Sequence, residues 1–152
     1  MELMTMLHAR KAVRKYTGQV TPDQLQQLLH AASAAPVGRG NYDNYRLTVI
    51  QKPEILQQLP GIYDAPTVIV VSAREVRTSK YLSAGAIIHN IELAAEDMGL
   101  GANYNLYCVA SLPPEIIPAG FTPLFAITLG QTTTFFTPRP IPVDRIKANI
   151  VK

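Results

Sequence analysis

Ala65-Pro-Thr-Val-Ile-Val-Val-Ser72 is the stretch on which the fold turns. A continuous β-branched run of this kind, opened by Ala65-Pro66, predicts a central strand buried on both faces. Such a strand needs cover, and the chain supplies it further on. Ser83–Met98 reads as the longest helix, with Ala84, Ile87, Ile88, Ile91, Ala94, Ala95 and Met98 forming a broad apolar face. Gly99-Leu100-Gly101 stops it with a glycine C-cap. A second helix starts at Thr21, a good N-cap, with Pro22 fitting the first helical position and Gln24 placed as capping-box partner. Leu25, Leu28, Leu29 and Ala32 give it a buried stripe, and Pro36, Gly38 and Gly40 end it.

The remaining elements are shorter. Residues 3–11 read as a helix carrying Leu3, Met6, Leu7 and Arg10 at helical spacing. Arg46–Gln51 reads as a strand, Pro53–Leu59 as a short helix, and Leu124–Leu129 as another central strand closed by Gly130. The tail holds Pro138, Pro140 and Pro142, with a short helix expected from Val143 onward. Helices and strands are interspersed without clean alternation, which predicts an α+β domain: a mixed sheet with helices packed on it. The 152 residues suit one domain, 1–152, with one core.

Composition narrows the function. With 47% hydrophobic and 16% charged residues the chain is too apolar for a disordered segment and too mixed for a membrane protein. Val68–Val71, its longest apolar strand-like stretch, falls far short of a bilayer span. The N-terminus shows no apolar h-region with a cleavage site, so a cytoplasmic protein is expected. The single cysteine, Cys108, excludes a disulfide framework within one chain, and its apolar neighbours Val109-Ala110 suggest a buried, inert thiol. A net charge of +3 suits an anionic small ligand as readily as nucleic acid.

Three stretches could carry chemistry. Arg10, Lys11, Arg14 and Lys15 crowd the segment before Tyr16. They read either as a phosphate grip or as a solvated basic turn at a helix C-terminus. Pro36-Val-Gly-Arg-Gly-Asn41 leaves a helix through glycines that let backbone N–H groups approach a ligand, or is an ordinary connecting loop. Gly99-Leu-Gly-Ala-Asn-Tyr-Asn-Leu-Tyr107 follows a helix, so it is not a dinucleotide fingerprint. It reads as a C-cap and loop, with a backbone amide that could face a ligand edge. His89, Glu92 and Glu96 share a stripe of the long helix, where a His-Glu pair could bind metal, but no convincing third and fourth ligands accompany such a pair, and no metal site is expected. No nucleophile elbow or Ser-His-Asp order stands out.

The order of these pieces resembles the FMN-dependent nitroreductase family over nearly the whole length. The resemblance runs from Arg10-Lys-Ala-Val-Arg14 with Tyr16, through the helix ending at Pro36, to Asn41 and Tyr45-Arg46 before a strand. It continues in Ala65-Pro66 with the Val-rich run, and in Gly85, Asn90, Leu93, Ala94 and Gly99-Leu-Gly101 of the long helix. Pro118–Pro123, Leu129-Gly130 and Arg139 complete it.

The resemblance implies a nitroreductase-like α+β fold, with a mixed, mainly antiparallel central sheet, in a homodimer holding FMN at the subunit interface. Carried over by position, Arg10 and Lys11 would grip the phosphate with Arg139. Arg14 would lie at the pyrimidine edge, and Pro36, Val37, Gly38 and Asn41 would line the isoalloxazine and ribityl from the partner subunit. The backbone of Tyr104-Asn105 would face the reactive N5. Ala12 stands where the family has a small hydroxyl residue, removing one phosphate hydrogen bond worth about 1 kcal/mol. The implied activity is ping-pong transfer of hydride from NAD(P)H through FMN to a small nitroaromatic, quinone or related acceptor. The cofactor carries the chemistry and no side chain is catalytic. Asp43-Asn44 replaces the family's usual Gln-Pro, and only Ala73–Leu82 links the Val-rich strand to the long helix, where many members insert helices over the pocket. That short link implies an open pocket. It also keeps a second reading in play, a flavin-binding carrier, sensor or remnant without efficient turnover. A nucleic-acid-binding module ranks last, for want of a recognition motif or interleaved stacking aromatics.

Overall fold

The computed structural model describes residues 2–152. Helices α1 (Leu3–Ala9) and α2 (Pro22–Ser33) are followed by strand β1 (Tyr45–Ile50), helix α3 (Pro53–Leu56) and strand β2 (Thr67–Ala73). Helix α4 (Thr78–Asp97), strand β3 (Gly101–Asn105) and strand β4 (Thr122–Gly130) complete the order. The strands form one sheet in the order β1-β2-β4-β3. All three pairings are antiparallel, so the sheet of this chain is not mixed.

Every residue of β2 is buried, as the β-branched run predicts. Alternate side chains of a strand face opposite ways, and here they enter two separate cores. Ile69, Val71 and Ala73 pack with Leu28 of α2 and Ile87, Ile88, Ile91 and Ala95 of α4. Val68 and Val70 pack on the other face with Leu59, Ile62, Cys108 and Leu112. The sheet is therefore covered by two helices on one side and by the 53–62 and 107–117 segments on the other. Cys108 is fully buried there, and burial pushes its thiol up to about 11, as an inert core thiol requires.

The start of α2 follows the sequence closely. Thr21 accepts from the Gln24 amide, the Gln24 side chain returns to the Thr21 N–H, and Pro22 opens the helix. Gly99 adopts φ 72°, the left-handed cap expected after the long helix. Four expectations need correction. Helix α4 begins at Thr78, so the connection from Ala73 is the four residues 74–77 rather than a ten-residue link. Gly101–Asn105 is a paired edge strand rather than a loop. Helix α3 ends at Leu56, short of Leu59. From Val143 onward the tail forms turns and no helix, because a short segment lacking a packed face does not hold helical structure.

Candidate functional site

The basic segment is a strap fastened across the β3–β4 end of the sheet. The Val13 N–H donates to the Ala102 carbonyl (2.9 Å), Thr17 N–H to Gln131 (2.9 Å), and Gln131 N–H returns to Gly18 (2.8 Å). Between them Tyr16 lies flat against two glycines paired across the strands, Gly101 and Gly130. A Cβ on Gly130 would come within 2.9 Å of the Tyr16 ring and of Pro66, and one on Gly101 within 2.7 Å of Val13. The Tyr16 hydroxyl donates to the Val13 carbonyl (3.0 Å) and shares a hydrogen bond with Thr128 (2.5 Å); burial pushes the phenol up to about 12. Glycine is required at Gly130 because the Tyr16 and Pro66 rings occupy the space a side chain would fill, and at Gly101 because Val13 does.

The strap puts its cations at the surface. Arg10 reaches back to α4, where its Nη1 donates to Glu92 Oε1 at 2.8 Å; Glu92 is buried and raises the arginine pKa further. The tail returns alongside. Arg139 donates its backbone N–H to the His8 carbonyl (3.1 Å) and its guanidinium to the His8 and Arg10 carbonyls. Arg10 and Arg139 are thus adjacent, with Lys11 half-buried and Ala12 exposed in the same strap. Below them Glu96 is 4% exposed, and neither carboxylate oxygen has a hydrogen-bond partner among the described residues. Burial first, then the charge of Glu92, hold its carboxyl at about 7, against the opposing pull of Arg10 and Arg139.

Arg14, exposed further along the strap, lies over the Tyr63 ring at 5.8 Å. Tyr63 and Asp64 both take left-handed backbone angles, with φ of 57° and 54°, a conformation non-glycine residues adopt only when surroundings impose it. Asn105 is buried and ties this turn to β3: its amide donates to the Gly61 carbonyl (2.7 Å) and its oxygen accepts from the Cys108 N–H (2.9 Å). Tyr104 packs edge-on to Phe125 (5.6 Å) and its hydroxyl meets His89. Tyr63, Leu106 and Tyr107 stay exposed around Arg14 and Asn105. Cations thus border an exposed apolar and aromatic surface. That donor set fits a flat ring system carrying an anionic tail.

Pro36, Val37, Gly38 and Asn41 are not part of this cluster. Their loop is pinned to α4 by the Gly38 N–H donating to Ser83 Oγ (3.0 Å). Nine residues separate Ser83 from Glu92 on that helix, about 14 Å along its axis. The helix stripe weighed as a metal site is otherwise engaged: His89 meets Tyr104, Glu92 holds Arg10, and no metal-binding group of three was found among the described residues. Two features escaped the sequence reading. The Arg10–Glu92 pair joins positions 82 residues apart, for which no local signal exists. Tyr63 could have been noticed as the aromatic before Asp64-Ala65-Pro66, a turn-forming series.

Residues 56–107 match the model of the nitroreductase family. Among solved structures, the chain is similar to an FMN-bound nitroreductase from Desulfitobacterium hafniense DCB-2, with 20% identity, a TM-score of 0.80, and 95% and 96% of the two chains covered. An FMN-bound nitroreductase from Bacteroides fragilis matches at 20% identity and a TM-score of 0.80, over 97% of each chain. A protein from Parabacteroides distasonis, provisionally named an NADH dehydrogenase/NAD(P)H nitroreductase, shares 26% identity at a TM-score of 0.77, over 96% of each chain. No described helix is long and apolar enough to cross a membrane.

Proposed function

We propose that the chain is an FMN-dependent oxidoreductase of the nitroreductase type, a reading supported by the match of residues 56–107 to the family model and by the likeness of its fold to nitroreductase structures. Its electron donor is NAD(P)H and its acceptor a small nitroaromatic, quinone or related molecule. The observation that carries this reading is the strap, which gathers Arg10, Lys11 and Arg14 with Arg139 beside an exposed aromatic surface. Bound FMN would supply the hydride chemistry.

The chain's own residues bind and orient. Arg10, Lys11 and Arg139 take the phosphate. One Arg10 N–H faces Glu92, and the guanidinium has further donors to offer an anion. Ala12 contributes backbone in the strap. Arg14 faces the pyrimidine edge, where a cation favours the reduced, more anionic ring. The Tyr104-Asn105 backbone, held by the Asn105 hydrogen bonds, faces the redox-active edge.

Pro36, Val37, Gly38 and Asn41 line the ring from a second copy of the chain, because in one chain they sit toward the far end of α4 from Arg10. A homodimer is supported also by the tail, whose Phe135, Ile146, Ile150 and Val151 are exposed; apolar surface on that scale calls for a partner. A cytoplasmic location completes the proposal.

The test is an absorbance spectrum of the purified protein, repeated after FMN loading and after anaerobic NADH or NADPH. Flavin bands that stay with the protein and bleach support the oxidoreductase. Bands that stay without bleaching select the carrier reading, which the four-residue connection before α4 favours, since nothing there roofs the pocket. A folded protein that keeps no flavin overturns both. Arg139→Ala is expected to weaken FMN binding about tenfold or more, as loss of one charged hydrogen bond does. Arg10→Ala should act similarly, with some loss of stability from the orphaned Glu92. Fluorescence titration with FMN measures both, and unchanged affinity in both variants removes the phosphate assignment. A monomer mass for the flavin-loaded protein contradicts the dimer.

A further inference from the structure

The part of α4 that faces the strap holds two buried carboxyl groups and one bonded counter-ion. Glu92 and Glu96 stand four residues apart, so they share a stripe one helical turn from each other. They are 3% and 4% exposed. Glu92 accepts from Arg10 at 2.8 Å and faces the Tyr104 hydroxyl of β3. Neither oxygen of Glu96 has a hydrogen-bond partner among the described residues. Other charges reach Glu96 from three elements. Arg10 of the strap and Arg139 of the tail favour its ionised form, while Glu92 and exposed Asp97 of α4 oppose it. From α1, His8 turns its ring to the Met4 carbonyl (2.7 Å). A buried carboxylate with no hydrogen bond, beside a second carboxylate, is costly to ionise. Its proton is therefore held to about pH 7, by burial first and by Glu92 next.

The same carboxyl lies beneath the cations assigned to the phosphate. With Glu96 neutral, Arg10, Lys11 and Arg139 stand against one ionised carboxylate, Glu92, and the positive surplus matches a phosphate dianion. With Glu96 ionised, that surplus is halved. Because Glu96 is shut off from water, its charge is screened far less than that of a surface acid.

We propose that Glu96 couples cofactor binding to proton uptake: the strap and tail arginines close on the flavin phosphate while Glu96 is protonated, and loosen when it gives up its proton. The ligand rests on the oxidoreductase reading; the coupling goes beyond it, to a residue set behind the phosphate grip. Glu96 is a positioning residue, acting through Arg10 and Arg139 on how much of their charge is left for an anion. A bound dianion favours the neutral carboxyl, so the complex holds a proton that the flavin-free protein has released. By reciprocity, binding weakens as pH rises through 7 and above. A phosphate monoester loses its second proton near pH 6, so above pH 7 the ligand's own charge is steady and the slope belongs to the protein.

The experiment is calorimetric titration of the full chain, freed of flavin, with FMN from pH 7 to pH 8.5. It is repeated at pH 7.5 in buffers of different ionisation enthalpy, which counts the protons taken up. Wild type is expected to lose affinity about tenfold over the interval, within the limit of tenfold per pH unit for one proton, and to take up part of a proton per FMN. Glu96→Gln, permanently neutral, should keep its affinity and take up none. Glu54→Gln, an exposed position on α3, should follow wild type. Parallel pH profiles in wild type and Glu96→Gln overturn the proposal. So does FMN binding by wild type without proton uptake, a measurement that stands even if Glu96→Gln folds poorly. No FMN binding at any pH overturns the oxidoreductase reading and the coupling with it, whereas binding without uptake overturns the coupling alone.

Discussion

Gly130→Ala is expected to destabilise the protein by about 1–3 kcal/mol, the usual cost of overpacking a filled site, and to loosen the FMN proposed to bind at the strap. The added methyl would lie 2.9 Å from Tyr16 Cδ1 and 2.9 Å from Pro66 Cδ. Both neighbours are rings, and neither can swing aside as a flexible chain end does. The methyl is accommodated only by lifting Tyr16, and with it the strap that carries Arg10, Lys11 and Arg14. Gly101→Ala acts on the same strap from β3, through Val13 at 2.7 Å. Gly85→Ala is the control. That position is inside α4 with nothing within 4 Å of the added atom, so alanine there is neutral or stabilising by up to about 1 kcal/mol. Urea unfolding of the three variants, paired with FMN titration, measures both effects. A Gly130→Ala protein as stable as Gly85→Ala would show that Tyr16 is not seated as described.

The second large effect is a dependence of stability on pH. Glu96 has a carboxyl held at about 7, above its ordinary 4.5, by burial first and by Glu92 next. In the interval between those values the folded chain binds a proton that the unfolded chain has released, so stability falls as pH rises. The contribution is fully present below about pH 4.5, is lost through pH 7, and is level above it. Converted at 1.36 kcal/mol per pH unit, the loss is about 3 kcal/mol at most. Glu96→Gln should flatten this slope and gain stability at pH 8, because a neutral amide avoids burying a second charge beside Glu92. Urea midpoints of wild type and Glu96→Gln from pH 5 to pH 8 test it. Parallel curves for the two proteins would mean that Glu96 does not carry the slope. Because Arg10 and Arg139 face the same carboxylate, the comparison also reports on the ground beneath the proposed phosphate grip.

How far the sequence carries the structure depends on where each element gets its stability. The β2 run and the capping box at Thr21 are local statements, and both are realised as written. Strand β3 is not local. Gly101-Ala-Asn-Tyr-Asn105 is rich in residues that strands avoid, and it is extended because β4 offers it a ladder and Tyr16 needs its glycine. The start of α4 was obscured for a similar reason. Arg77 is no capping residue, whereas Ser83 looks like a helix start; in the fold its hydroxyl instead donates to the Ser79 carbonyl and accepts from Gly38. At the site, the cations of the strap were legible as a cluster, but their partners were not. Glu92, Glu96 and the carbonyls that hold Arg139 are distant in sequence, and only the folded chain brings them near.

The strap has a temporal meaning as well. Arg139 fastens to carbonyls of residues 8 and 10, and Gln131 to residue 18. A contact spanning some 129 positions cannot close until both of its ends have been synthesised, and long closures are slow to form. During translation the two-faced core around β2 and α4 can assemble while the first basic residues wait without their partners from the tail. The cationic cluster is therefore finished last, and its completion registers that residues 8 through 139 have all found their places. A chain broken off before Arg139 would keep much of its sheet and lose the arginine that completes the proposed phosphate grip.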